Sequence, residues 1–223
     1  MDSIARFIDH TLLAPDATPE DVRRVCAEAR DCRFRTVCVN PCHVGLAADE
    51  LRDSGIDVCT VIGFPLGAAC SETKASEAAA AVEHGADELD MVMNIGLFRA
   101  GDDRSVADDI EAVVNEAAGR VVKVIIETCL LTDEEKLRAT ALIRESGAAF
   151  VKTSTGFSKA GATVEDVRLL AAAAEGLVGV KAAGGIRDLA TALRMVEAGA
   201  TRLGTSAGVR IVEEEKQQSP KED

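Results

Sequence analysis

The 223-residue chain carries a formal net charge of −13 and draws 47% of its residues from the hydrophobic set. An acidic balance of this size argues against nucleic acid and anionic membrane surfaces as partners, because both attract basic patches. The apolar content is ample for one large core, and with no Trp or Tyr that core must be built from small aliphatic side chains.

The N-terminal MDSIARFIDH lacks the apolar stretch of a secretory signal, and no run of 18 apolar residues suggests a membrane span. FIDHT (7–11) reads as a first, short strand. ATPEDVRRVCAEARDC (17–32) reads as a helix, with Thr18 as N-cap and Pro19 at the first helical position. TVCVN (36–40) and VCTVIGF (58–64) are the next strand runs, and SETKASEAAAAVEHGA (71–86) is a helix opening at Ser71 and stopping at Gly85. ELDMVMN (88–94) and RVVKVIIET (120–128) are strands, followed by the helix LTDEEKLRATALIRESGA (131–148), capped by Thr132 and stopped by Gly147. AFVKTS (149–154) is the sixth strand, and ATVEDVRLLAAAAEG (162–176) is a helix between Thr163 and Gly176. VGVKAAG (178–184) and TRLGTS (201–206) complete the set.

Eight strand runs separated by helical segments give a parallel α/β sheet, and eight is the number that closes a (β/α)8 TIM barrel. The alternative is an open doubly wound sheet, which the absence of G-x-G-x-x-G after the first strand disfavours. No Pro/Ser-rich linker divides the chain, so a single domain over 1–212 is expected, followed by a polar, disordered tail at 213–223.

The seven cysteines form no C-x-x-C pair, and the three histidines are scattered, so no zinc spacing emerges and no metal is expected. A reduced, cytoplasmic protein is expected, its cysteines mostly buried as small hydrophobes. Only eight of the 25 basic residues are lysines. A lysine-poor acidic surface fits a salt-adapted host, or an ordinary acidic cytosolic protein.

Three of those lysines fall in or at the ends of strands: Lys123, Lys152 and Lys181. Asp9, Asp90 and Glu127 lie in strand runs as well. Ionised groups cannot face the helix layer without severe desolvation, so they belong at the barrel axis, where active sites form at the C-terminal strand ends. The plainer alternative is an ion-pair cluster without chemistry. Several charges converging from different strands favour function. Two neighbouring ammonium groups lower one another's pKa, as does burial. A lysine brought down from about 10.4 toward neutrality is a nucleophile able to form a Schiff base with a carbonyl. A carboxylate such as Asp90 can move the protons. That is chemistry for making or breaking a carbon–carbon bond.

KAAGGIRD (181–188) and RLGTSAG (202–208) place glycines after the seventh and eighth strands. Barrels often bind phosphate there through backbone N–H groups. A single glycine pair would be no more than a tight turn; two such loops on adjacent strands point to phosphate, with Gly156 as a further donor.

The combination of DHTLL, CVNP, IGFPLG, ELDMVMNIG, VKTSTGF, VKAAGGIR and LGTSAG, spread over positions 9 to 208, resembles the deoxyribose-phosphate aldolase family. The resemblance implies a class I aldolase without a cofactor, reversibly cleaving 2-deoxy-D-ribose 5-phosphate to D-glyceraldehyde 3-phosphate and acetaldehyde. It implies Lys152 as the Schiff-base lysine, Lys181 as the second lysine and Asp90 as proton donor and acceptor. Asp9 and Thr11 fall near the reacting centre and Cys38 lines the pocket. Gly156, Gly184, Gly185, Gly204 and Ser206 match the phosphate grip. It also implies a homo-oligomer, a dimer or tetramer, acting on small phosphosugars and aldehydes. The chain departs from the pattern at Phe157, where some members have lysine, and at Ala207, where many have a second serine. Both departures bear on phosphate selectivity rather than on the reaction.

Several residues have plainer readings. Lys123 and Glu127, four apart on one strand, are expected to pair as support inside the barrel. His10 points away from Asp9 and is structural, and His43 and His84 are surface or packing residues. Thr153 and Ser154 cap the turn after the sixth strand or touch substrate, with capping favoured for Ser154. Two other readings of the whole remain open, because one scaffold hosts many chemistries. One is a different barrel aldolase or a sugar-phosphate isomerase. The other is a non-catalytic phosphosugar-binding barrel, which would need neither the lysine pair nor Asp90.

Overall fold

The strand runs are held side by side in chain order. In the computed structural model, which describes residues 3–218, they are β1 (Ile8–Leu12), β2 (Thr36–Val39), β3 (Asp57–Ile62), β4 (Glu88–Val92), β5 (Val121–Ile125), β6 (Phe150–Lys152), β7 (Gly179–Ala183) and β8 (Arg202–Thr205). Each pairs in parallel with the next, and β8 returns to β1 with Asp9 opposite Gly204. That last pairing closes the barrel and excludes the open sheet.

Helices α1 (Pro19–Cys32), α2 (Val44–Glu50), α3 (Ser71–Glu83), α4 (Ile95–Arg99), α5 (Asp103–Glu116), α6 (Asp133–Glu145), α7 (Val164–Ala174), α8 (Leu189–Glu197) and α9 (Gly208–Gln218) lie between and after the strands. Their starts follow local chemistry. Thr18 and Thr132 form capping boxes with Asp21 and Glu135, and Thr163 accepts from the Asp166 amide. The principal core lies between sheet and helices, where Val22, Val25, Val37, Leu89, Val124, Ile143, Val151 and Leu203 are buried together.

The polar segment after residue 212 is not a separate tail as far as it is described. It continues α9 through Gln218, and residues 219–223 lie outside the described residues. The side chains there have distant partners. Glu214 accepts from the Leu189 amide at 2.8 Å, and Glu215 accepts from Ser3 Oγ at 2.7 Å and the Ile4 amide at 2.9 Å. No helix among the described residues is long and apolar enough to cross a membrane, and all seven cysteines are free.

Candidate active site

Strand register assembles the charged side chains. Residues opposite one another on parallel neighbours share a face, and Asp90 stands opposite Lys123, Lys152 opposite Lys181, and Lys181 opposite Arg202. All of these face the barrel axis and are buried. Asp90 is the hub. Its Oδ2 accepts from Lys152 Nζ at 2.6 Å and Lys181 Nζ at 2.7 Å, and its Oδ1 from Lys123 Nζ at 2.9 Å. Lys181 also donates to Asp9, whose other oxygen accepts from Arg202 at 2.8 Å. Arg202 reaches Glu88 at 2.8 Å, and Glu88 lies 2.5 Å from Lys123.

Burial would raise the two aspartate pKa values, but the surrounding cations outweigh it. Lys181, Lys123 and Arg202 push Asp9 down to about 2. Lys123, Lys152 and Lys181 hold Asp90 well below the usual carboxylate range. Burial would likewise lower Lys181, yet the Asp9 and Asp90 carboxylates win and hold its ammonium above the ordinary lysine range. The expected repulsion between the two strand-end lysines is therefore interrupted: one Asp90 oxygen sits between them and bonds to both.

A cavity of about 440 Å³ opens above this cluster. Of the cluster's charged groups, only Lys152 lines it; Asp9, Asp90, Lys123, Lys181 and Arg202 lie beneath. Thr11, Gly156, Gly184, Gly185, Gly204 and Ser206 all border the cavity, so both expected phosphate loops and the turn after β6 converge on it. Gly184 and Gly185 have φ of 87° and 81°, a left-handed pair that L side chains rarely adopt. At Gly204 the requirement is space, since a Cβ there would stand 3.0 Å from Ala183 Cβ and 3.2 Å from Lys181 Cε. Cys38 is just behind the wall, packed with Leu13, Cys59 and Val61. A hydrogen bond from Cys59 lowers the Cys38 thiol against the effect of burial, whereas burial pushes Cys59 well above its usual range.

Cys38, Cys59 and Asp90 place potential metal-ligand atoms within 4.8 Å of one another. Both Asp90 oxygens are already occupied by lysine ammonium groups, so a cation there would have to displace them.

Two expectations need correction. Lys123 and Glu127 do not pair. β5 ends at Ile125, and Glu127, at φ 53°, turns its carboxylate to Thr155. The turn after β6 is capped by Thr155, whose Oγ1 accepts from the Phe157 amide at 3.0 Å. Ser154 Oγ is buried without a hydrogen-bond partner among the described residues. Thr153 Oγ1 ties β6 to β7 through the Ala183 amide and carbonyl. His10 does point outward, packing against Phe34 with the rings tilted by 37° and bonding Glu28 at 2.6 Å.

Sequence reasoning missed Glu88 and Arg202 as members of the cluster and Arg187 as an exposed guanidinium on the cavity wall. Arg187 sits in the quoted GGIRD run, so its position after β7 was an available signal. Phe157 also borders the cavity and meets Phe64 edge-on at 5.3 Å, which brings together the loops after β6 and β3.

The profile of the DeoC/LacD family aldolases matches residues 4–213. The deoxyribose-phosphate aldolase of Natranaerobius thermophilus is 56% identical over 213 residues, covering 95% of this chain and 97% of that one. That of Clostridium tetani is 56% identical, covering 96% and 99%. The tetrameric deoxyribose phosphate aldolase of Aeropyrum pernix superposes with a TM-score of 0.90 at 40% identity, covering 97% and 92%.

Proposed function

The chain belongs to the DeoC/LacD family of aldolases, and from that membership and the geometry of its site we propose that it cleaves 2-deoxy-D-ribose 5-phosphate reversibly to D-glyceraldehyde 3-phosphate and acetaldehyde through a Schiff base on Lys152. The observation that carries this reading is that Lys152 is the one amine of the buried cluster bordering the cavity, with Asp90 at 2.6 Å to exchange its proton.

In the cleavage direction Lys152 Nζ, as the free amine, attacks the substrate carbonyl carbon. The carbonyl oxygen is protonated and leaves as water, giving an iminium. The bond between C2 and C3 of the deoxyribose then breaks as the C3 hydroxyl loses its proton, and the bonding pair flows toward nitrogen. Glyceraldehyde 3-phosphate departs and an enamine remains. Protonation of the enamine carbon and hydrolysis release acetaldehyde and restore the amine.

Asp90 and Lys181, linked at 2.7 Å, are the groups placed to carry these protons, with Asp9 anchoring Lys181. Thr11 borders the reacting end, and Cys38, packed behind the wall, does not reach it. Gly156, Gly184, Gly185, Gly204 and Ser206 supply the phosphate end, where Arg187 adds positive charge. No cofactor is called for by this sequence of steps. A cytoplasmic homo-oligomer is the accompanying proposal, supported by the tetrameric relative.

The test is release of both aldehydes from 2-deoxy-D-ribose 5-phosphate by the wild type, with loss of turnover in Lys152→Ala and an unchanged circular dichroism spectrum. Turnover persisting in the folded variant would remove Lys152 from the mechanism.

A further inference from the structure

Glu127 is a buried carboxylate, 2% exposed, that the proposed reaction does not use. Among the described residues no lysine, arginine or histidine pairs with it; its donors are neutral and come almost entirely from one residue. The Thr155 amide lies 3.4 Å from Oε1 and 3.3 Å from Oε2, and Thr155 Oγ1 donates to Oε2. The Cys129 thiol is a distant third partner at 3.9 Å. Because the Thr155 hydroxyl gives its single proton to Glu127, its lone pair faces the Phe157 amide, which donates to it at 3.0 Å. A directed chain results, from Phe157 N–H through Thr155 Oγ1–H to the Glu127 carboxylate.

This chain decides which amides of the turn can meet a ligand. Thr155, Gly156 and Phe157 all border the cavity. The amides of Thr155 and Phe157 are satisfied internally. The Gly156 amide, in a residue at φ 86°, has no hydrogen-bond acceptor among the described residues and is left for the ligand. Glu127 itself is held at φ 53°, where glutamate is uncommon, so its placement is an imposed feature of the loop.

We propose that Glu127 is a positioning residue for the phosphate end of the site, fixing the turn after β6 so that the Gly156 N–H is presented to the anion. The inference rests on the proposed phosphate-ester substrate and deepens it. A carboxylate suits this place because the Thr155 amide straddles both of its oxygens, and a side-chain amide would set an NH2 against that N–H. Lys152 is held independently by the pairing of β6 with β5 and β7, so its chemistry stays largely intact when the turn moves. The sign of the effect is diagnostic. By Coulomb's law a carboxylate near a phosphate opposes it, so neutralising Glu127 would tighten phosphate binding if its charge acted directly. Positioning predicts the reverse.

The test titrates inorganic phosphate calorimetrically into wild type, Glu127→Gln, Thr155→Val and Thr155→Ser. It also measures steady-state cleavage of 2-deoxy-D-ribose 5-phosphate and of unphosphorylated 2-deoxy-D-ribose. Glu127→Gln and Thr155→Val are each expected to raise the Kd for phosphate, and the KM for the phosphorylated sugar, about tenfold or more, as for a lost hydrogen bond to a charged group. The kcat on the unphosphorylated sugar should stay close to wild type. Thr155→Ser keeps the hydroxyl and should retain wild-type binding, and the Glu127→Gln/Thr155→Val double variant should be no worse than either single one. Tighter phosphate binding in Glu127→Gln, an equal loss on both sugars, or additive single effects would overturn the proposal. The phosphate titration reads the turn whether or not the sugar is cleaved, so absence of turnover in the wild type would refute the aldolase reading separately.

Discussion

Replacing Asp90 with asparagine tests the electrostatic construction of the barrel interior. Four cations, Lys123, Lys152, Lys181 and Arg202, face three carboxylates there, Asp9, Glu88 and Asp90. Asparagine keeps the volume but leaves four cations against two carboxylates. The loss is uneven. Lys181 keeps Asp9 and Lys123 keeps Glu88, whereas Asp90 is the carboxylate with which Lys152 pairs. Removing one partner of a buried ion pair typically costs about 3–5 kcal/mol. With a urea slope of about 2–3 kcal/mol/M, the unfolding midpoint should fall by about 1–2.5 M at pH 7. A buried ammonium left without its partner is relieved by losing its proton. The folded variant then binds fewer protons than its unfolded chain, and its stability rises with pH. The deficit should therefore shrink as the urea titration is repeated from pH 7 to pH 9. Cleavage should fall by about 10²–10⁴, the usual contribution of a positioned acid–base group. A variant with the wild-type midpoint at pH 7 and no pH-dependent recovery would refute the account of Asp90 as the hub.

The acid limb of wild-type stability should report Asp9, whose carboxyl is pushed down to about 2. That stabilisation is complete above the unfolded value of about 3.9 and is lost as pH falls toward 2, a decline of about 2 kcal/mol. In Asp9→Asn the corresponding part of the slope should be missing from urea titrations across that window. On the outer layer, Lys74 on α3 pairs with Asp109 on α5 at 2.5 Å and donates to the Val92 carbonyl at 2.9 Å, fully buried. Lys74→Met should destabilise by about 3–5 kcal/mol because it strands the Asp109 charge. Lys74→Met/Asp109→Leu should recover much of that loss, and both should keep the specific activity of the folded fraction. Gly204→Ala should lower turnover, because its Cβ would stand 3.0 Å from Ala183 Cβ and 3.2 Å from Lys181 Cε. A melting temperature near wild type with unchanged turnover would refute the crowding.

Much of the barrel was legible because its signals are local. Each strand is a short apolar run, and Thr18, Thr132 and Thr163 cap helices through bonds that span three residues. Lys152, Lys181 and Asp90 were legible because charged side chains within apolar runs have few places to go. What escaped depends on partners remote in sequence. Glu214 and Glu215 look like solvated tail residues until Leu189, Ser3 and Ile4 are brought beside them. Arg202 reads as the ordinary start of a strand, yet it bonds Asp9, 193 positions away. The Lys123–Glu127 pair failed for a backbone reason, since a regular strand would have put both on one face. The strand ends at Ile125 and the positive φ of Glu127 redirects its side chain.

The most direct test of the central claim is reductive trapping. Enzyme incubated with acetaldehyde and borohydride, then digested and sequenced by mass spectrometry, should carry one ethyl group on Lys152 and none on Lys123 or Lys181, whose amines lie beneath the cavity wall. Modification of Lys181 in place of Lys152, or an unmodified chain that still cleaves the phosphosugar, would contradict the assignment of Lys152 as the nucleophile.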